Sequence, residues 1–115
     1  MDRSKDQALT VQEEIFVRLR AMLLKQRGEA IVTTDSECEI ILRTDDAAGQ
    51  QFRAALYLKS SDVKLHLFPV YERPELLDGL SPKLRKRMHG KSCFNFRTFD
   101  TAIFAELEAL IERAM

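Results

Sequence analysis

Residues 81 to 96, SPKLRKRMHGKSCFNF, crowd five cations, a histidine, a GKS triplet and a cysteine into one stretch. Each type carries a chemistry. Glycine-rich amides with a lysine hold phosphate, clustered cations hold a nucleic-acid backbone, paired histidine and cysteine hold zinc, and a thiolate beside a base acts as a nucleophile. Spacing decides among them. The triplet Gly90 to Ser92 lacks the first glycine of a phosphate loop, since Leu84, Arg85 and Met88 stand where flexibility is needed. A strand pattern follows it, where a phosphate loop opens a helix. Lys83, Arg85, Lys86 and Arg87 spread around a short helix whose Leu84 and Met88 face inward, the pattern of a solvated face, so nucleic acid is not the expected partner. The soft ligands His66, His89, Cys38 and Cys93 include no CxxC or HxxxH pair, which argues against zinc. Cys93 alternates with Phe94, on the side of Asn95 and Arg97, and no base is placed to activate it; we read it as an inert thiol. No acid, base and nucleophile constellation emerges, and no enzyme is expected.

The elements that position these residues follow from hydrophobic period. TVQE at Thr10 to Glu13 has the form of a capping box, and Val11, Ile15, Phe16, Leu19, Met22 and Leu23 recur at helical spacing up to Gly28. The period then becomes two. EAIVTT, CEIILR, FRAALYLK and DVKLHLFP read as an antiparallel meander separated by turn residues. A two-residue turn at Ser60 and Ser61 sets Leu58 opposite Val63, Leu56 opposite Leu65 and Ala54 opposite Leu67, which gathers the apolar set on one side. Ser81 and Pro82 start a short helix that Gly90 stops, SCFNFRTF is a further strand, and Asp100 caps a final helix buried through Ile103, Phe104, Leu107, Leu110, Ile111 and Ala114. The expected fold is α+β in the order α-β-β-β-β-α-β-α: one antiparallel sheet of about five strands with the N- and C-terminal helices packed on one face. Residues 1–115 read as a single domain with a flexible N-terminus over 1–8.

That register leaves a second sheet face carrying Arg53, Tyr57, Lys64, His66 and Phe68, extended on the next strand by Lys91 and Arg97. Aromatic residues interleaved with cations suit a protein or peptide partner, and a non-enzymatic binding module without cofactor is the leading expectation. Homodimerisation stays open. The hard oxygen ligands form the other group: Glu13 and Glu14 on the first helix, and Asp35, Glu37 and Glu39 around the first turn. Carboxylates of this kind suit iron or another hard cation.

Bulk composition narrows the partners. Eighteen Lys and Arg balance eighteen Asp and Glu, so no overall field draws the chain to nucleic acid or an anionic membrane. At 45% hydrophobic and 31% charged the chain is neither disordered nor membrane-spanning. The start MDRSKDQALTVQEE has no apolar h-region, so a cytoplasmic location is expected, with Cys38 and Cys93 reduced.

LHLFPVY followed by PELLDGLSPKLRKRMHGKSCFNF and the amphipathic FAELEALI resembles the YdhG-like superfamily of small bacterial domains, over Ala54 to Ile111. The resemblance implies an α+β sandwich with helices on one sheet face, and a GK turn at Gly90 and Lys91 leading into the Phe94 and Phe96 strand. Some members are described as frataxin-like iron chaperones, which rely on acidic side chains of the first helix and adjoining strand edge. The resemblance therefore implies an alternative function, an intracellular iron chaperone using Glu13, Glu14, Asp35 and Glu37.

Overall fold

The computed structural model describes residues 9–46 and 49–115. The expected flexible segment 1–8 lies outside them. Helix α1 (Val11–Gln26) begins with the capping box: Thr10 Oγ1 accepts from the Glu13 amide at 3.1 Å, and Glu13 Oε1 accepts from the Thr10 amide at 2.9 Å. Ile15, Phe16, Leu19 and Leu23 are its buried stripe, while Val11 in the first turn is 52% exposed and stays outside it. The chain leaves the helix through Gly28 at φ 60, a left-handed conformation that costs other residues about 1 kcal/mol or more.

Five strands follow in the spatial order of the sequence: β1 (Ile31–Asp35), β2 (Glu39–Asp46), β3 (Gly49–Leu58), β4 (Val63–Leu67) and β5 (Cys93–Phe96), all antiparallel. The β3 and β4 register pairs Ala54 with Leu67, Leu56 with Leu65 and Leu58 with Val63, as the alternation predicts. Lys59 donates its amide to the Asp62 carbonyl at 2.9 Å, which closes the two-residue turn at Ser60 and Ser61. Two bulges interrupt the ladder, between Val32 and Thr34 and at the Leu42 to Arg43 step. The first breaks the pairing pattern of the free edge strand, a usual guard against edge-to-edge association. The other edge is covered: Asn95 donates to the Arg87 carbonyl at 2.7 Å and His89 to the Cys93 carbonyl at 2.8 Å, so residues 87 to 89 hydrogen-bond along β5.

The connection from β4 to β5 differs from the sequence reading. Instead of carrying the strand through Pro69, the chain turns at Phe68 into α2 (Phe68–Glu72), then a 3-10 helix (Pro74–Leu77), then α3 (Pro82–Arg85). Pro69 and Pro74 sit in first helical turns, where a missing amide costs nothing. Ser81 caps α3 by accepting from the Leu84 amide at 3.2 Å. The helix ends at Arg85, earlier than Gly90, because the following residues leave it to pair with β5. Helix α4 (Thr101–Ala114) starts on the Asp100 side chain, which accepts from the Ile103 amide at 3.0 Å.

One core lies between the sheet and helices α1 and α4. Ile40, Leu56, Leu65 and Phe94 form one row across β2 to β5, and Leu42, Ala54 and Leu67 another, against Ile15, Leu19, Leu107 and Ile111. Phe96 stacks on Phe94 at 6.3 Å and meets Phe104 edge-on at 5.4 Å, contacts that each add about 0.5–1.5 kcal/mol to area burial. Among the described residues, no helix is long and apolar enough to cross a membrane.

Candidate functional site

Because side chains alternate, burying Ile40, Leu56, Leu65 and Phe94 on the helix side forces the intervening residues onto the opposite face. Two rows result. Glu39, Tyr57, Lys64 and Asn95 are neighbours across β2 to β5, and Ile41, Ala55, His66 and Cys93 are the next row. Ala55 is 0% exposed yet lies outside the helix-side core, so larger side chains of its own face cover it. This face has packing of its own.

The bulge at Arg43 rearranges the third row. Leu42 still opposes Ala54, but Arg43 opposes Phe52, so Arg53 is the extra residue and the alternation reverses beyond it. Phe52 therefore joins the His66 face, its ring 4.8 Å from the imidazole and edge-on to it. Arg53 keeps its guanidinium 5.8 Å over the Phe68 ring, pairs with Glu72 of α2 at 2.9 Å, and also lines a cleft with Arg27, Glu29 and Ala114 at the end of the helices. The Phe52 contribution escaped the strict alternation because a bulge leaves no mark in hydrophobic period.

Phe68 needs a second correction. It is the first residue of α2, beyond the sheet, yet its ring lies 6.0 Å from Phe52 and stacks on Tyr71 at 5.7 Å. His66, Phe52, Phe68 and Tyr71 thus form a continuous aromatic run from the middle of the sheet to α2. Tyr57 and Lys64 stand where the register predicts, and Lys64 Nζ donates to Asn95 Oδ1 at 3.2 Å. Lys91 is in the loop between residues 89 and 93, outside the ladder, and Arg97 follows β5 in an exposed bend. Neither belongs to the sheet face.

Burial, and behind it the Glu39 carboxylate, push the Tyr57 phenol above its ordinary 10.0, with Arg43 acting the other way. Tyr57 therefore offers a neutral hydroxyl at physiological pH. Burial lowers His66 below its ordinary 6.5, which favours the neutral ring against Phe52. The unfolded chain then binds the proton more readily than the folded one. This share of stability is complete above pH 6.5 and is lost as pH falls from 6.5 through the folded value. We expect His66→Gln to flatten urea midpoints measured across that acid window; an unchanged slope would assign the dependence to other groups.

Three of the four carboxylates of the iron expectation are already engaged. Glu13 serves the capping box, Glu14 pairs with Arg18 at 3.2 Å, and Asp35 is held by Arg20 at 2.5 Å. Glu13, Asp35 and Glu37 line one cleft of about 600 Å³ together with Arg20, and Glu14 is not part of it. Among the described residues, no group of three or more His, Cys, Asp or Glu side chains is placed to hold a metal ion.

A further cleft, of about 420 Å³, separates α1 from α4, where Arg18 lies 4.4 Å over the ring of Phe99 and Glu108 faces Lys25 at 3.9 Å. Another, of about 610 Å³, lies between α2 with its 3-10 extension and the turn at residues 85 to 91. Compared with protein-family models, curated proteins and solved structures, the chain matches none of them.

Proposed function

We propose that this chain is a cytoplasmic, non-enzymatic binding module whose open sheet face takes a peptide segment of a partner protein. The observation that carries this reading is the aromatic run His66, Phe52, Phe68 and Tyr71 on a face that α1 and α4 leave open. Around it lie Tyr57, Lys64, Arg43 and Glu39, so an aromatic and aliphatic centre is edged by polar groups of both signs. That arrangement matches the anatomy of protein contact surfaces, where aromatic anchors sit inside a polar rim. Single-strand nucleic-acid binders present ring faces to bases along a cationic groove. Here Phe52 meets both His66 and Phe68 at 65°, ring against ring, and the rim carries Glu39 as well as cations. Two free thiols, Cys38 and Cys93, fit a reducing compartment.

The test is selection of short random peptides displayed on phage, with NMR chemical-shift mapping of those that bind. Shifts are expected at Ile41, Ala55, Tyr57 and His66. Phe52→Ala combined with Tyr57→Ser should weaken binding at least about tenfold while circular dichroism reports an intact fold. Selected peptides that keep full affinity for the folded double variant would place the site elsewhere.

A further inference from the structure

The cleft beside α2 has apolar walls from Val70, Tyr71, Pro74, Leu77 and Met88. Its rim is different in kind: Arg85 and Lys91 line it and no carboxylate does. Four other clefts each contain at least one carboxylate, such as Glu108 between α1 and α4 or Asp35 beside Arg20. Among the described residues, neither Arg85 nor Lys91 has a carboxylate within ion-pair distance. Arg85 donates to the Leu77 carbonyl at 3.0 Å, which fixes its guanidinium across the cleft. In the adjoining loop, the amides of Gly90 and Lys91, both of which line the cleft, find no backbone acceptor among the described residues. Nothing lies within 4 Å of where a Gly90 side chain would begin, so the approach to this loop is open. An apolar chamber with a rim of unpaired cations and free amides complements a group with an apolar body and an anionic end.

Position says which such group. Tyr71, 53% exposed, is both a wall of the cleft and the last ring of the aromatic run that leads off the sheet face. A segment lying along that face reaches the cleft at its end. The volume of about 610 Å³ is within the range of about 300–1,000 Å³ usual for ligand clefts, room for one or two terminal residues. We infer that the cleft holds the C-terminus of the partner peptide, with its last apolar side chain against Tyr71, Leu77 and Met88 and its α-carboxylate against Lys91 and the loop amides. Capture of a chain terminus by a cation and backbone donors is an established recognition mode. The inference rests on the peptide-binding reading of the sheet face.

The experiment uses arrays of short random peptides tethered by their N-termini, each synthesised with a free C-terminal carboxylate and again as the C-terminal amide. Retained peptides are expected to end in an apolar residue and to bind at least about tenfold more weakly as amides. Lys91→Gln, an exposed substitution, should bring the two forms close to parity at the amide level. If amides bind as well as acids, the terminal-carboxylate inference fails while the sheet-face reading stands. If neither array retains the protein, both fail. Decanoate shifting the NMR signals of Leu77 and Met88, with no peptide sensitive to amidation, would make the cleft a fatty-acid site and overturn the inference.

Discussion

Phe94→Ala is expected to destabilise the protein by about 3–5 kcal/mol, the range for deleting a fully buried aromatic ring. Phe94 is 0% exposed at the end of the row Ile40, Leu56, Leu65, and stacks on Phe96. Its backbone also pairs with Met88, so the ring is enclosed from the helix side and its strand from the chain edge. Little around the ring can collapse into the space: Leu65 is fixed by its sheet register and Leu84 and Leu107 by their helices. Domains of this size are stable by roughly 5–15 kcal/mol, so the loss consumes much of the total and moves the urea midpoint by roughly 2 M. Phe94→Leu keeps most of the volume and should cost less than half as much. On the other side of the same strand, Asn95→Ala leaves the core intact and should cost about 1 kcal/mol or less, chiefly through the Lys64 contact. Equal losses at positions 94 and 95 in chemical denaturation would refute the two-faced reading of β5.

The contrast between those neighbours explains why most of the fold was legible. Burial on one face of a strand leaves a period of two, and the pairs Leu56 with Leu65 and Leu58 with Val63 follow once the turn at Ser60 and Ser61 is placed. The three helix starts, Thr10, Ser81 and Asp100, were legible for a local reason: a side-chain oxygen accepts an amide two or three residues on, and the required residue types sit at fixed spacing. Tyr57, Lys64 and His66 could be placed on the open face by the same arithmetic. What could not be read was the reversal at Arg53, because the energy that decides a bulge resides in the partner strand and in a distant ion pair with Glu72. The break at Phe68 had a signal in Pro69, which removes an amide from any continuing ladder, although the helix it starts depends on docking Val70 into the core. The cleft at Lys91 comes from α2, its 3-10 extension and the turn at residues 85 to 91, which are brought together by the fold and leave no period at all.

A pairing of the same hidden kind joins Ser81 to Glu106, and Glu106→Ala should destabilise the protein by about 2 kcal/mol. Its carboxylate accepts from the Ser81 amide at 2.7 Å and from the Ser81 hydroxyl at 2.6 Å, in a partly buried setting. Hydrogen bonds to a charged acceptor contribute about 1.5–3 kcal/mol, and removing the acceptor also strands an amide at the start of α3. The same hydroxyl caps α3 by accepting from Leu84, so one residue both starts the helix and docks it on α4. That explains how a helix of four residues, too short to be stable alone, holds Leu84 in the core. Glu106→Gln, which keeps an oxygen in place, should recover roughly half the loss. Ser81→Ala removes the cap and the hydroxyl part of the dock, while its backbone amide still donates to Glu106, at a cost of about 1–2 kcal/mol. Because both variants break the same contact, the double variant should fall short of the sum by about 1 kcal/mol. Thermal melts can read this, since about 2 kcal/mol corresponds to roughly 8 °C for a chain of this length. Additive losses would show that the two residues act independently and that α3 is held by Leu84 alone.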